Sequence, residues 1–243
     1  MKELEEIRMI LGVIPARGGS RGVQRKNVRL VNGRPLIQYA IECALSCDCL
    51  DNVVVSTDDE EIAEIARKVG ADVPFIRPSD LARPETPMLP VLKHALIEAE
   101  KFYKKTFDAV VLLDPTGPLR IVDDVEGAIK LFKDKQCDAV VSGNSAHRNP
   151  YFNMVKKDES GLASLVCEPE KPVGRRQDAP VVYDLNTVVW VFSRAMILEG
   201  KRLPENAYLY EIDVSRAVDL DTERDFKFLE FLLGENGLSG EKK

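Results

Sequence analysis

"MILGVIPARGGSRGVQRKN", residues 9–27, begins as a short apolar run and turns abruptly into glycine and positive charge. Residues 9–14 read as a buried strand, because six apolar positions closed by a proline are too few for a helix. An open α/β sheet forms its ligand crevice beyond the carboxyl ends of its strands, so a glycine loop directly after the first strand marks a binding edge. Gly18, Gly19 and Gly22 carry no side chain, which lets backbone N–H groups approach an anion, and Ser20 adds a hydroxyl donor. Between Arg17 and Arg34 stand six cations, Arg17, Arg21, Arg25, Lys26, Arg29 and Arg34, and no acidic residue. In a chain of net charge −6 that concentration reads as a local anion site.

The same alternation continues outward. "PLIQYAIECAL" (35–45) has apolar residues at helical spacing and "NVVVSTD" (52–58) is strand-like. "DEEIAEIARKVG" (59–70) has acids first, bases last and a closing glycine, which are helix boundary signals. "ADVPFI" (71–76) reads as a third strand, residues 88–105 as a helix, "FDAVVLLDP" (107–115) as a strand, 122–135 as a helix and "CDAVVSG" (137–143) as a strand. Strand character returns in "LNTVVWVFS" (185–193) and "EIDVSRAVDLD" (211–221). A helix then starts behind a Thr222 cap, and residues 235–243 are expected to fray. The expectation is one α/β domain over residues 1–243 with an open, mainly parallel Rossmann-like sheet. Between about 145 and 183 the pattern breaks into prolines, short strand-like pieces and a basic "GRRQD", which reads as an inserted arm or lid.

Composition excludes several classes. Of the 243 residues, 44% are hydrophobic and 30% charged, as in soluble globular chains, and no apolar run reaches the about 18 residues of a membrane span. The first fifteen residues are acidic with a short apolar run, unlike a cleaved signal, so a cytoplasmic address is expected. Negative net charge disfavours general nucleic-acid binding. Five cysteines are an odd number at no framework spacing; Cys43, Cys47 and Cys49 read as helix-end core residues rather than a metal set. Serine at position 20 breaks G-x-G-x-x-G, and neither a Walker loop nor a G-x-S-x-G elbow occurs. His94 and His147 belong to no readable triad, and Trp190 reads as a sheet core residue.

"IPARGGSRGVQRKN" resembles the phosphate loop of the acylneuraminate cytidylyltransferases, the CMP-sialic acid synthetase family, whose pattern runs I-x-A-R-x-x-S-K-G-x-x-x-K-N. In order follow "VNGRPLIQYAI", "VVVSTDDEEIAEIARKVGADV", "RPSDLA", "LLDPTGPLR", "RRQDAPVVYDLN" and "VDLDTERDF", so the resemblance spans about residues 10–230. It implies a nucleotidyltransferase fold and transfer of CMP from CTP to the anomeric hydroxyl of a nine-carbon 2-keto sugar acid, with release of pyrophosphate. It also implies a homodimer in which the arm reaches the neighbouring sugar site.

Bringing an anionic sugar to an anionic triphosphate calls for cations and a metal. By this resemblance Arg17 and Lys26 act on the triphosphate, with Ser20 and Arg21 beside them, and Asn27 and Arg77 serve the nucleotide. Lys26 is the leading catalytic candidate, since a point charge on a flexible stem can follow phosphate as bonds change. Asp219 and Asp221, at i, i+2 on an extended segment, point to one side and suit Mg²⁺; the same spacing also fits exposed or capping residues. Arg176 and Gln177 match an Arg-Gln pair over the sugar, and Asn186 an asparagine of the motif. Asp114 replaces a common glutamine beside the sugar, and "NPYFN" (149–153) stands near the place of a sugar-binding lysine. Both departures resemble members acting on legionaminic-type diamino acids. Arg21 replaces the usual lysine.

Overall fold

The computed structural model describes residues 7–20, 22–200 and 203–236, so Arg21 and the tail 237–243 lie outside the described residues. Its centre is a six-stranded sheet of β1 (Ile10–Pro15), β4 (Asn52–Ser56), β5 (Ala109–Leu112), β6 (Ala139–Ser145), β9 (Tyr183–Ser193) and β10 (Ala207–Glu211). The spatial order is β10-β6-β9-β5-β1-β4. All neighbours are parallel except β9, which runs antiparallel to both β5 and β6. Two small ribbons lie outside it, β2 (Leu30–Val31) with β3 (Arg34–Pro35) and β7 (Val155–Lys157) with β8 (Ala163–Leu165).

Both faces of the sheet are covered, which is why its strands read as nearly unbroken apolar runs. From β1, Ile10 and Ile14 pack with α1 (Leu36–Leu45), α2 (Glu60–Val69) and α4 (Val122–Lys135), while Leu11 and Val13 face α3 (Met88–Tyr103) and α5 (Arg194–Glu199). A third cluster joins Val23, Val31 and Leu220 to Phe226 and Leu229 of α6 (Glu223–Asn236), tying the end of the chain over the glycine loop. The α2 boundaries follow the expected signals: Asp59 Oδ1 accepts from Ile62 N at 3.0 Å, and Gly70 closes the helix at φ 108°.

Two strand expectations are corrected. Residues 71–76 make only a single bridge, Val54 to Asp72, because Pro74 removes a backbone donor. The last strand is Ala207–Glu211, and 211–221 leaves the sheet through a turn in which Asp213 accepts from Ser215 N and Oγ. Between the end of β6 and the start of β9 the chain forms the β7–β8 ribbon. No helix among the described residues is long and apolar enough to cross a membrane.

Candidate active site

Three chain segments meet at the carboxyl edge of the sheet. The loop after β1 brings Arg17, Gly19, Ser20, Lys26 and Asn27, the segment after α2 brings Arg77 and Arg83, and the loop after β5 brings Asp114 and Thr116. They line one pocket of about 230 Å³. Asn27 is buried and donates from Nδ2 to the Arg17 carbonyl at 3.0 Å, closing the loop on itself. Arg77 is also buried; its Nε donates to Ser56 Oγ at 3.1 Å and its Nη2 to the Ser56 carbonyl. Burial lowers its pKa to about 10, so it remains a fixed cation at neutral pH.

The structure corrects the reading of the glycines. Gly18 N donates to Asp58 Oδ1 at 3.0 Å, and a Cβ there would lie 2.6 Å from Asp59 Oδ2. A Cβ on Gly22 would lie 2.1 Å from the Asp221 carbonyl oxygen. These two glycines serve close packing, and only Gly19 faces open space, with nothing within 4 Å. The cations divide as well. Arg25 is paired with Asp59 and Glu61, Arg29 with Glu223 at 2.5 Å and Arg34 with Glu42 at 3.1 Å. Arg17 and Lys26 line the pocket, and so does Arg83, which the sequence reading missed and which is itself paired with Asp80.

Lys26 reaches the far end of the chain: its Nζ donates to the Leu220 carbonyl at 2.5 Å and lies 3.4 Å from Asp221 Oδ1. Asp219, two residues earlier, has a carboxyl held above the ordinary aspartate value, first by burial and then by Asp221, with Asp114 adding to it and Thr116 and Lys26 opposing. Hard oxygens and surplus negative charge fit a hard divalent cation, and one would relieve the repulsion between them. Among the described residues only Cys47, Cys49 and Glu126 bring three metal-ligating atoms within 4.8 Å of one another. Asp219 and Asp221 belong to no such group, so a cation held by them would need further oxygens from elsewhere. Cys47 is buried as expected, whereas Cys43 and Cys49 are half-buried.

Asp114 also lines a second cavity, of about 660 Å³, whose walls are mostly apolar: Leu89, Leu92, Leu112, Trp190 and Phe192, with Thr187 as a polar exception. Trp190 is thus a wall residue rather than a core one; its Nε1 donates to the Asn186 carbonyl at 2.6 Å, which fixes the ring. Arg176 and Gln177 do not enter either cavity. They line a separate hollow of about 340 Å³ on the arm, where Arg176 Nη2 donates to the carbonyls of Ala146 and His147 at 2.9 and 2.6 Å. Asn186 is buried in the sheet: its Oδ1 accepts from Ser142 Oγ at 2.6 Å and its Nδ2 donates to Asn144 Oδ1 at 3.1 Å. Both ends of that amide are occupied where the β6–β9 register shifts between Val141 and Gly143.

The cytidylyltransferase family profile matches residues 11–236. A flagellin modification protein of Campylobacter coli, post-translational flagellin modification protein B, is 37% identical over 94% of this chain and 97% of its own. The CMP-N,N'-diacetyllegionaminic acid synthase of Campylobacter jejuni is 38% identical over 95% of this chain and 97% of its own. Among solved structures, CMP:2-keto-3-deoxy-manno-octonic acid synthetase complexed with CTP superposes with a TM-score of 0.71 at 18% identity, covering 94% of this chain and 99% of that one. That likeness concerns the fold.

Proposed function

We propose, from the premise that this chain belongs to the cytidylyltransferase family, that it transfers CMP from CTP to the anomeric hydroxyl of a nine-carbon 2-keto sugar acid. The bond formed is between that hydroxyl oxygen and the α-phosphorus, and the bond broken releases pyrophosphate. One observation carries the reading: Asp114 stands at the junction of a small pocket rich in cations and a larger apolar cavity, so a triphosphate and an organic acceptor would meet there.

In this reading Arg17, Arg77 and the uncovered backbone at Gly19 hold the triphosphate, with Ser20 and Asn27 shaping the loop. Arg77 is suited to fixed orientation because its guanidinium is already anchored on Ser56. Lys26 supplies charge to the leaving pyrophosphate, its long stem allowing it to exchange the Leu220 carbonyl for phosphate oxygen. Asp219 and Asp221 would hold Mg²⁺, which neutralises phosphate charge when bound. Arg176 and Gln177, lying apart from the nucleotide pocket, serve the sugar of a second copy in a homodimer. The arm supports this with exposed Val155, Leu162 and Val181, at 63%, 71% and 76%. The working compartment is the cytoplasm, and neither nucleic acid nor membrane is a partner.

A legionaminic-type acid is favoured over N-acetylneuraminic acid. Apolar walls suit a tail carrying methyl and acylamino groups, whereas hydroxyls there would lose water without gaining partners. The test is pyrophosphate release with CTP, Mg²⁺ and a panel of N-acetylneuraminic, diacetyllegionaminic, pseudaminic and 2-keto-3-deoxyoctonic acids, with ATP and GTP as controls. Release with CTP and one acid identifies the substrate. Tight CTP binding with no release from any acid would instead indicate a nucleotide-binding protein without turnover.

A further inference from the structure

Pairing between β5 and β9 ends at Leu112 opposite Trp190, two residues short of Asp114. Beyond that point the ladder is replaced by a side chain. Arg120 is 5% exposed, and its Nε donates to the Val188 carbonyl at 2.6 Å. Its Nη2 donates both to the Asp114 carbonyl at 2.6 Å and to the Thr187 carbonyl at 3.2 Å. One nitrogen therefore bridges the loop that carries Asp114 and the strand that carries Thr187 and Trp190. Nearby, Thr116 Oγ1 lies 2.9 Å from Asp114 Oδ1 and 3.0 Å from Thr187 Oγ1, making a second tie between the same two segments. Gly117 lets the loop close down, since a Cβ there would lie 3.1 Å from Arg120 Nη2 and 3.2 Å from Val188 Cα.

This clamp is costly for the fold. Among the described residues Arg120 has no carboxylate partner within ion-pair distance, only neutral carbonyls, and its Nη1 is buried without a hydrogen bond. Burying a cation in this way opposes its charged form, and an apolar side chain would fill the space without that penalty. What an apolar side chain would not do is hold three carbonyl oxygens at fixed separation.

We propose that Arg120 is a positioning residue for the acceptor: it sets the spacing between Asp114 and the Thr187–Trp190 wall, and so where the sugar acid lies relative to the nucleotide. The proposal rests on the reading that CTP occupies the cationic pocket and the acceptor the apolar cavity. Arg17, Lys26 and Asn27 make no hydrogen bond to Arg120, so the clamp reaches the nucleotide pocket only through the loop of Asp114 and Thr116 and not through its cations.

The experiment compares wild type with Arg120→Lys and Gly117→Ala for CTP affinity by calorimetry and for kcat and KM of the sugar acid. Trp190, the sole tryptophan, reports acceptor binding through its emission. Expected are CTP affinity within about twofold of wild type and kcat/KM for the acceptor down on the order of 10²-fold, with the emission change moved to higher acid concentration. Parallel loss of CTP and acceptor binding, or lower thermal stability with unchanged kcat and KM, overturns the positioning role. If Arg120→Lys does not fold, Gly117→Ala, whose Cβ would press on Arg120 Nη2 at 3.1 Å without lining either cavity, must still show the split, and failure to show it counts equally against the role. Wild type that binds CTP but releases no pyrophosphate with any acid overturns the functional reading and this proposal with it; an active wild type with unsplit variants overturns this proposal alone.

Discussion

Lys26 Nζ stands 3.4 Å from Oδ1 of Asp221, joining the glycine loop to a segment 195 residues away. The cation proposed for the leaving pyrophosphate and a carboxylate proposed for the metal neutralise each other when neither ligand is present. In that reading, binding of one ligand would release a group for the other.

Replacing Lys26 by alanine is expected to lower pyrophosphate release on the order of 10²–10³-fold, the range typical of removing one group that stabilises developing charge. Stability should fall by about 1–3 kcal/mol, chiefly through loss of the hydrogen bond from the part-buried Nζ to the Leu220 carbonyl, since Asp221 is 76% exposed and its pairing weak. Saturating-CTP turnover and a thermal melt on the same preparation test this. A melt that falls in proportion to activity would remove Lys26 from the chemistry.

Asp219→Asn should make the metal-free protein more stable, because the wild-type carboxyl is held above its ordinary value by burial and by Asp221. Added Mg²⁺ should then raise the melting temperature of wild type and leave that of the variant nearly unchanged. Equal Mg²⁺ shifts in both proteins would take Asp219 out of the metal set.

The Arg25 guanidinium, through its hydrogen bond, holds the Asp59 carboxyl below the ordinary 3.8. A depressed carboxylate adds stability that is complete above the unfolded value and is lost as pH falls through the folded one. Asp59→Asn can keep the cap on Ile62 N while removing the charge. The stability gap between wild type and variant should thus be constant above about pH 5 and narrow below about pH 4, as measured by denaturant titrations. A gap independent of pH would show that the pair contributes nothing through its charge.

Gly19→Ala and Gly22→Ala should separate two uses of glycine in one loop. The first meets open space and is expected to fold normally while weakening CTP binding several-fold; the second drives a Cβ to 2.1 Å from the Asp221 carbonyl and should destabilise the chain by about 1–3 kcal/mol. Calorimetry with CTP and chemical denaturation distinguish them.

Asn186→Ala is expected to act on the sheet. It strips partners from Ser142 Oγ and Asn144 Oδ1 at a buried register shift, a loss of about 2–3 kcal/mol, while the KM for the sugar acid stays near wild type. A large rise in KM with little change in stability would return Asn186 to the sugar site.

The α/β alternation was legible because strands buried on both faces and amphipathic helices have distinct periods, and α2 also carries its charge and cap signals. Residues 71–76 misled because apolar content does not reveal that Pro74 interrupts pairing. The short α5 was overlooked despite Ser193 and Gly200 at its ends, six residues being too few to show a period. In the site, Arg17, Lys26, Asn27, Arg77 and Asp114 were named from their motifs and do meet in one pocket. The neutralisation of Arg29 was not legible, because its partner Glu223 lies 194 residues on. The motif that names Asn186 does not disclose that Ser142 and Asn144 occupy both ends of its amide. Thr116 and Arg120 lay inside the quoted "LLDPTGPLR", but their roles depend on β9, which only folding brings alongside.

The pairing of Arg25, Arg29 and Arg34 has a kinetic side. With those three charges paired inside the chain, the positive charge that the loop's described residues offer the pocket narrows to Arg17 and Lys26, on a molecule of net charge −6. An approaching triphosphate would feel no long-range pull, and its capture rate should not fall with added salt as it does for ligands steered by a broad opposite field. Selection would then be exercised after collision, by fit at the mouth, rather than by guidance before it.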